Sequence, residues 1–203
     1  VATHSHSQPG RFWHIMPELG LGFFGFGTFS NEMVNRYADV FAETIQEALS
    51  NMEPAQFGWS IQDGVDSVGQ IQVNRRSQGP DVIDDRLMVW RVEDLEGRPI
   101  AGLINLAIHA THMEDTWVTG DVAGAIEWSA TQALSQRAGR EAPVLFVNGN
   151  AGNISPGGGD VVSASWAKMQ VIGSRVADLF EQGWTMATPD TVDVMELVTK
   201  RGP

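Results

Sequence analysis

Two histidines stand near the start of the sequence with one residue between them, and a third follows an apolar segment much later. If residues 4–6 are extended, side-chain alternation puts His4 and His6 on one face, as two metal ligands or as one ligand beside an acid–base group. His109 comes directly after the apolar run 100–108, and polar and acidic residues follow it. Strand ends are common ligand positions, so His109 is a candidate ligand. A purely structural role remains the alternative for each histidine.

A serine lies in a loop built from small residues. The apolar run 144–147 leads into a segment rich in glycine and asparagine, in which Ser155 directly precedes Pro156. Small residues allow the backbone to approach other groups closely, and a proline restricts the residue before it. Such a loop exposes the serine hydroxyl for chemistry. The alternative is a glycine-rich turn with a capping serine.

The composition excludes several classes of function. The chain has 203 residues, 13 Lys and Arg against 25 Asp and Glu, a net charge of −12 and no cysteine. An acidic chain without a basic cluster argues against nucleic acid or an anionic membrane as the main partner. The lack of cysteine excludes disulfides, thiolate catalysis and Cys-ligated zinc. No apolar segment approaches the roughly 18 residues of a membrane span, and no signal peptide is visible. The first residues resemble an interior stretch of a longer protein.

The length and the lack of a linker predict a single domain over residues 1–203. The mixture of predicted strands and helices indicates the α/β class, in the sense of a mixed α+β layered domain. Helices are expected to pack on a mixed sheet. The stretch 20–27 contains G-x-G-x-x-G, but no strand precedes it, so we expect a loop there and no dinucleotide site. The predicted helices are 31–52, which is amphipathic, 122–138 and 163–182. The predicted strands are 57–61, 68–73, the antiparallel pair 87–92 and 100–108 around a turn at 96–97, 144–147, and a last edge strand at 192–198.

Five short motifs occur in a fixed order along most of the chain. They are Thr3-His4-Ser5-His6-Ser7-Gln8-Pro9, Asn74-Arg75, Ile108-His109, Gly120-Asp121-Val122-Ala123-Gly124 and Asn150-Ala151-Gly152-Asn153-Ile154-Ser155-Pro156. In order and separation they resemble the neutral/alkaline non-lysosomal ceramidase family. The resemblance implies a hydrolase that cleaves the N-acyl amide bond of ceramide, or of a related lipid amide, to a free amine and a fatty acid. It also implies a role in sphingolipid metabolism and a secreted or periplasmic protein.

The resemblance further implies a role for each matched residue. His4 and His109 would be ligands of a catalytic Zn²⁺ ion, and His6 would be a neighbouring catalytic group. Arg75 would polarise or bind the substrate, although the adjacent Arg76 is an alternative for that role. Ser155 would be the catalytic serine, either as the nucleophile or as the group that positions water and substrate.

The sequence also departs from the family pattern. Gly152 and Asn153 match positions that we expect to contact substrate, but Asn153 replaces the family's usual Asp and removes a negative charge beside the serine. Gln8 replaces a usual Gly, and Ala110 replaces a usual Pro. The family completes its zinc site with a Glu and a Tyr far downstream of the serine motif. Tyr37 is the only tyrosine here, and its place inside a predicted helix makes it a poor substitute. We therefore expect the remainder of the same polypeptide to supply both ligands.

Two other functions remain open from the sequence. One is a binding module that keeps the ceramidase fold without turnover, which the substitution at Asn153 and the incomplete ligand set favour. The other is an H-x-H metal-dependent hydrolase of the amidohydrolase barrel type. That class needs further histidines, an aspartate and often a lysine, and this chain has five His and only Lys168 and Lys200.

Overall fold

The computed structural model describes residues 3–11, 29–76, 82–113, 117–157 and 165–191. Within these ranges, three helices and seven strands follow one another along the chain. The helices are α1 (Asn31–Ser50), α2 (Asp121–Ala138) and α3 (Ser165–Met186). The strands are β1 (Ala55–Gln62), β2 (Gln72–Asn74), β3 (Leu87–Asp94), β4 (Pro99–Leu106), β5 (Val144–Asn148), β6 (Ile154–Pro156) and β7 (Asp190–Thr191).

The main sheet has five strands in the order β5-β4-β3-β1-β7. The pairs β1–β3, β3–β4 and β1–β7 are antiparallel, whereas β4 and β5 are parallel. A parallel pair needs a long crossover, and α2 provides it between β4 and β5. The short strands β2 and β6 form a separate antiparallel pair. The predicted mixed sheet with packed helices is therefore confirmed.

The core lies between the sheet and the pair formed by α2 and α3. Alternate strand residues such as Val89, Ile104 and Phe146 point into it and are fully buried, as is Phe180 of α3. The packing is close enough to require glycine at one strand position. A Cβ at Gly102 would lie 2.7 Å from Cζ of Phe180. The polar residues at the strand ends therefore lie at the edge of the sheet.

The opposite face of the sheet is apolar and exposed among the described residues. Trp59 of β1, Trp90 of β3, Leu103 of β4 and Leu145 of β5 lie in register across four strands. Trp59 is 58% exposed and Leu145 is 49% exposed. Val40, Phe41 and Ile45 of the amphipathic helix α1 are likewise exposed.

Most predicted elements are confirmed, and one is wrong. The predicted strand 68–73 is largely a turn, and only its last two residues belong to β2. The cause is the buried Asp66, whose carboxylate accepts the backbone N–H groups of Gln70, Ile71 and Gln72 and curls this segment. The stretches 20–27 and 192–198 lie outside the described residues. Among those residues, no helix has the length and apolar character that a membrane crossing requires.

Candidate metal centre

The side chains of His4, His6 and His109 meet at one point. Their ring centroids are 5.1 Å apart for His4 and His6, 4.3 Å for His4 and His109, and 5.3 Å for His6 and His109. One nitrogen from each ring lies within 4.8 Å of the other two. His4 and His6 are exposed, and His109 is partly buried. The structure thus brings together the two proposed ligands and the proposed neighbouring group, which lie far apart in the sequence.

The segment that bears His4 and His6 is held along the loop that follows β4. The backbone N–H of His6 donates to the carbonyl oxygen of Ala110 at 3.0 Å. The hydroxyl of Ser5 donates to the carbonyl of Thr119, and the hydroxyl of Ser7 donates to the carbonyl of Met113. The expected extended conformation is wrong, because His6 lies in a turn and His4 has a left-handed φ of 59°. The turn, rather than strand alternation, brings the two rings to the same side.

His109 lies three residues beyond the end of β4 and is tied to the serine loop. Its backbone N–H donates to the carbonyl of Ile154 at 3.0 Å, and its Nδ1 lies 3.3 Å from the carbonyl oxygen of Ala151. Partial burial lowers the pKa of His109 below its usual value. The hydrogen bond with Ala151 opposes this shift, and electrostatic interactions with Arg75, His4 and His6 add to it. The lowered pKa of His109 favours the neutral imidazole, the form that binds a metal.

Arg75 contacts His109 directly. Its Nη2 lies 2.8 Å from Nδ1 of His109 and donates to the carbonyl of Gly152 at 3.0 Å. The pairing of β2 with β6 positions this side chain, since the backbone N–H of Arg75 donates to the carbonyl of Asn153. Arg76 is exposed, and its backbone N–H donates to the side chain of Asn74. Of the two adjacent arginines, Arg75 is the one at the histidine cluster.

An arginine is always a donor, so Nδ1 of His109 must accept the proton of Arg75 in this contact. The same nitrogen cannot then donate to the carbonyl of Ala151. A ring bound to a metal through Nε2 carries its proton on Nδ1, which suits Ala151 and excludes the Arg75 contact. The two arrangements of His109 are therefore alternatives, and metal binding requires the guanidinium to leave the ring.

Ser155 lies in β6, paired with Val73 of β2, and is half-buried. It directly follows Ile154, whose carbonyl holds the backbone of His109. The preceding short 3₁₀ turn, Ala151–Asn153, presents Gly152 to open space, where a Cβ would meet nothing within 4 Å. The side-chain amide of Asn153 donates to the carbonyl of Val82. The serine loop therefore adjoins the histidine cluster through its backbone.

Sequence reasoning missed several residues that support this site. Asp66 shapes the turn that leads to Arg75, as described above. Asp121 is buried, has a left-handed φ of 54°, and accepts the backbone N–H groups of His112 and Met113, which fixes the loop after His109. Asn148 connects the two histidine-bearing segments. Its position at the end of a predicted apolar strand was the available signal, because polar residues at strand ends often serve a site.

Comparison with known proteins places this geometry in a known fold. No protein-family model and no curated protein matches the sequence. Among solved structures, the neutral ceramidase of Pseudomonas aeruginosa superposes with a TM-score of 0.74 at 21% identity. The alignment covers 89% of this chain and 30% of that one. The chain has the fold of a neutral ceramidase segment. A ceramidase structure described as complexed with C2 gives the same TM-score and identity, with 29% of that chain covered.

The resemblance drawn from five sequence motifs is thus confirmed as a likeness of fold. The chain spans about 30% of the length of the ceramidase chains that it matches. An open mixed sheet also differs from the closed parallel barrel of the amidohydrolase type, which disfavours that alternative.

Proposed function

We propose that the chain forms part of a zinc-dependent amidohydrolase resembling neutral ceramidase. The reaction is hydrolysis of the N-acyl amide bond of ceramide, or of a related lipid amide, to a free amine and a fatty acid. The observation that supports this function best is the convergence of His4, His6 and His109, with Arg75 on the last of them. The ceramidase-like fold of the same residues supports it independently.

The donor set fits zinc. Nitrogens bound to one tetrahedral zinc at about 2.0–2.1 Å lie about 3.4 Å apart. The histidine nitrogens here lie within 4.8 Å, and the exposed rings of His4 and His6 have room to rotate closer. We assign His4 and His109 as ligands and keep His6 as the neighbouring catalytic group. A zinc ion held there would supply Lewis-acid polarisation of the amide carbonyl and would acidify water.

The chain's own residues have distinct tasks in this proposal. His6 accepts the proton of the attacking serine hydroxyl or water and returns it to the leaving amine. Arg75, once released from His109, binds the oxygen on which negative charge develops. Ser155 supplies a hydroxyl from the loop that adjoins His109, as the nucleophile or as the group that positions water and substrate. Gly152 and Asn153 contact the substrate through the short turn that they form.

Two further ligands are proposed to come from outside these 203 residues. His4 and His109 alone leave the coordination sphere of a zinc ion incomplete. We propose that the remainder of the same polypeptide supplies the Glu and the Tyr that the family resemblance implies, and that the protein is secreted or periplasmic. The alignment covers only 30% of the solved ceramidase chain, which supports a site completed by residues outside these 203.

The direct test is hydrolysis by the full-length protein of ceramide and of short polar N-acyl amides, with and without a chelator. We expect chelator-sensitive cleavage of ceramide. Cleavage of polar amides alone would overturn the lipid substrate, and unchanged cleavage after chelation would overturn the metal. Replacing His112, which lies outside the cluster of three, with alanine is the matched control for the histidine variants.

One observation favours a second candidate, a ceramidase-fold binding module without turnover. Asn153 stands where the family has Asp, and its amide is used for a structural contact with the carbonyl of Val82. Tight binding of ceramide by the full-length protein, with no hydrolysis and no zinc, would favour the module over the enzyme.

A further inference from the structure

The side chain of Asn148 joins the two segments that bear the proposed zinc ligands. Its Nδ2 donates to the carbonyl oxygen of Thr3 at 3.1 Å, and its Oδ1 accepts the backbone N–H of Ile108 at 3.1 Å. Thr3 directly precedes His4, and Ile108 directly precedes His109. One amide group therefore fixes the backbone immediately before each ligand.

The position of Asn148 explains why an amide is needed. It is the last residue of β5, paired with Leu106 at the end of the parallel ladder with β4. The backbone N–H of Gly149 still donates to the carbonyl of Leu106, whereas the N–H of Ile108 finds its acceptor in the Asn148 side chain. An amide offers a donor and an acceptor on one small planar group. A carboxylate would lack the donor for Thr3, and an aliphatic side chain would lack both.

The hydrogen bond from Asn148 to Thr3 restrains the backbone next to His4, which has an unfavourable conformation. His4 has a left-handed φ of 59°, a conformation that is costly for a residue other than glycine and persists only where neighbouring contacts hold it. The hydrogen bond from His6 to Ala110 ties the chain down after His4, and the bond from Asn148 ties it down before. Without Asn148, the segment before His4 loses a side-chain tie to the sheet.

We propose that Asn148 is a positioning residue that sets His4 at the correct distance from His109 for zinc binding. This inference rests on the proposed metal site. Supporting groups behind metal ligands typically contribute 10–100-fold to metal affinity. Asn148 acts in the same way, although it holds the backbone next to the ligands rather than their rings.

The experiment measures zinc affinity, by competition with a chromophoric chelator, in full-length wild-type, Asn148→Leu and Asn105→Leu proteins. Asn105 is the matched control, because it is also half-buried, lies on β4 next to β5, and donates one amide hydrogen bond, to the carbonyl of Val147 at 2.9 Å. Urea unfolding of each metal-free protein measures the loss of stability. Asn148→Ser, which is too short to span the two contacts, replaces Asn148→Leu if that variant does not fold.

We expect zinc to bind 10–100-fold more weakly to the Asn148 variant and within twofold of wild type to the Asn105 variant, even where both lose similar stability. The visible absorption of bound Co²⁺ should change only in the Asn148 variant, because the ligand geometry changes there. Equal zinc affinities in both variants, with wild type binding zinc, would overturn the positioning role alone. A wild-type protein that binds no zinc would overturn the proposed function and this inference with it.

Discussion

The turn after β1 offers a test of how Arg75 reaches the metal centre. Asp66 is 6% exposed, and its two carboxylate oxygens accept three backbone N–H groups, from Gln70 at 2.8 Å, Ile71 at 2.7 Å and Gln72 at 2.5 Å. These bonds shape the turn that enters β2, the strand that positions Arg75. Asp66→Asn keeps the shape of the side chain but replaces one acceptor oxygen with an NH₂ group.

The magnitude follows from the three bonds. In the variant, the remaining oxygen keeps the donors of Ile71 and Gln72 and loses charge assistance at each, which costs about 1 kcal/mol per bond. The N–H of Gln70 loses its acceptor and meets another donor, which costs about 1–3 kcal/mol. We expect the free energy of unfolding to fall by about 3–5 kcal/mol. Ceramide hydrolysis should fall as well, while zinc content stays the same, because the ligands lie on other segments.

Urea unfolding measures the stability change, and Asp63→Asn is the matched control. Asp63 is exposed near the same turn, so its substitution should change stability by no more than about 0.5 kcal/mol. A loss below about 1 kcal/mol for Asp66→Asn, comparable to the control, would refute the role of the carboxylate in this turn. Full hydrolytic activity despite a large loss of stability would refute the link from the turn to Arg75.

Three further predictions concern the ligands, the pH dependence and the core. His109→Ala should abolish bound zinc, whereas Ser155→Ala should keep the zinc and lose turnover; elemental analysis and a hydrolysis assay check both. The pKa of His109 is lowered in the folded state, so protons bind more strongly to the unfolded chain. The metal-free protein should therefore lose stability as pH falls below about 6.5, the pKa of an unfolded histidine. Urea titrations from pH 8 to 5 measure this trend, which His109→Gln should weaken. Gly102→Ala places a Cβ 2.7 Å from a ring carbon of the core and should lower stability by about 1–3 kcal/mol, whereas Gly124→Ala, with open space in α2, should not.

Sequence patterns predicted the elements that depend on local contacts or that have a strong hydrophobic period. The hairpin of β3 and β4 follows from two apolar strands around a turn, and α1 follows from the helical spacing of its apolar residues. The segment 68–73 has the composition of a strand, but the carboxylate of Asp66 competes for its N–H groups. A single side chain that reorganises residues 68–71 leaves no periodic signal, so this error was inherent in pattern reasoning.

The candidate residues of the site could be named from the sequence, but their arrangement in space could not. The histidine spacing suggested ligands, and the resemblance to ceramidases paired His4 with His109. The left-handed turn at His4, the choice of Arg75 over Arg76, and the amide of Asn148 all depend on which segments lie side by side. Strand order decides that, and the sequence did not reveal that β5 lies beside β4.

Zinc content is the measurement that tests the central claim most directly. It is made by elemental analysis of the full-length protein and its His109→Ala variant, together with ceramide hydrolysis before and after chelation. We predict about one zinc per wild-type chain, none in the variant, and hydrolysis that stops on chelation and returns with added zinc. Zinc retained by the variant, or hydrolysis unaffected by its removal, would contradict a metal centre built on these histidines.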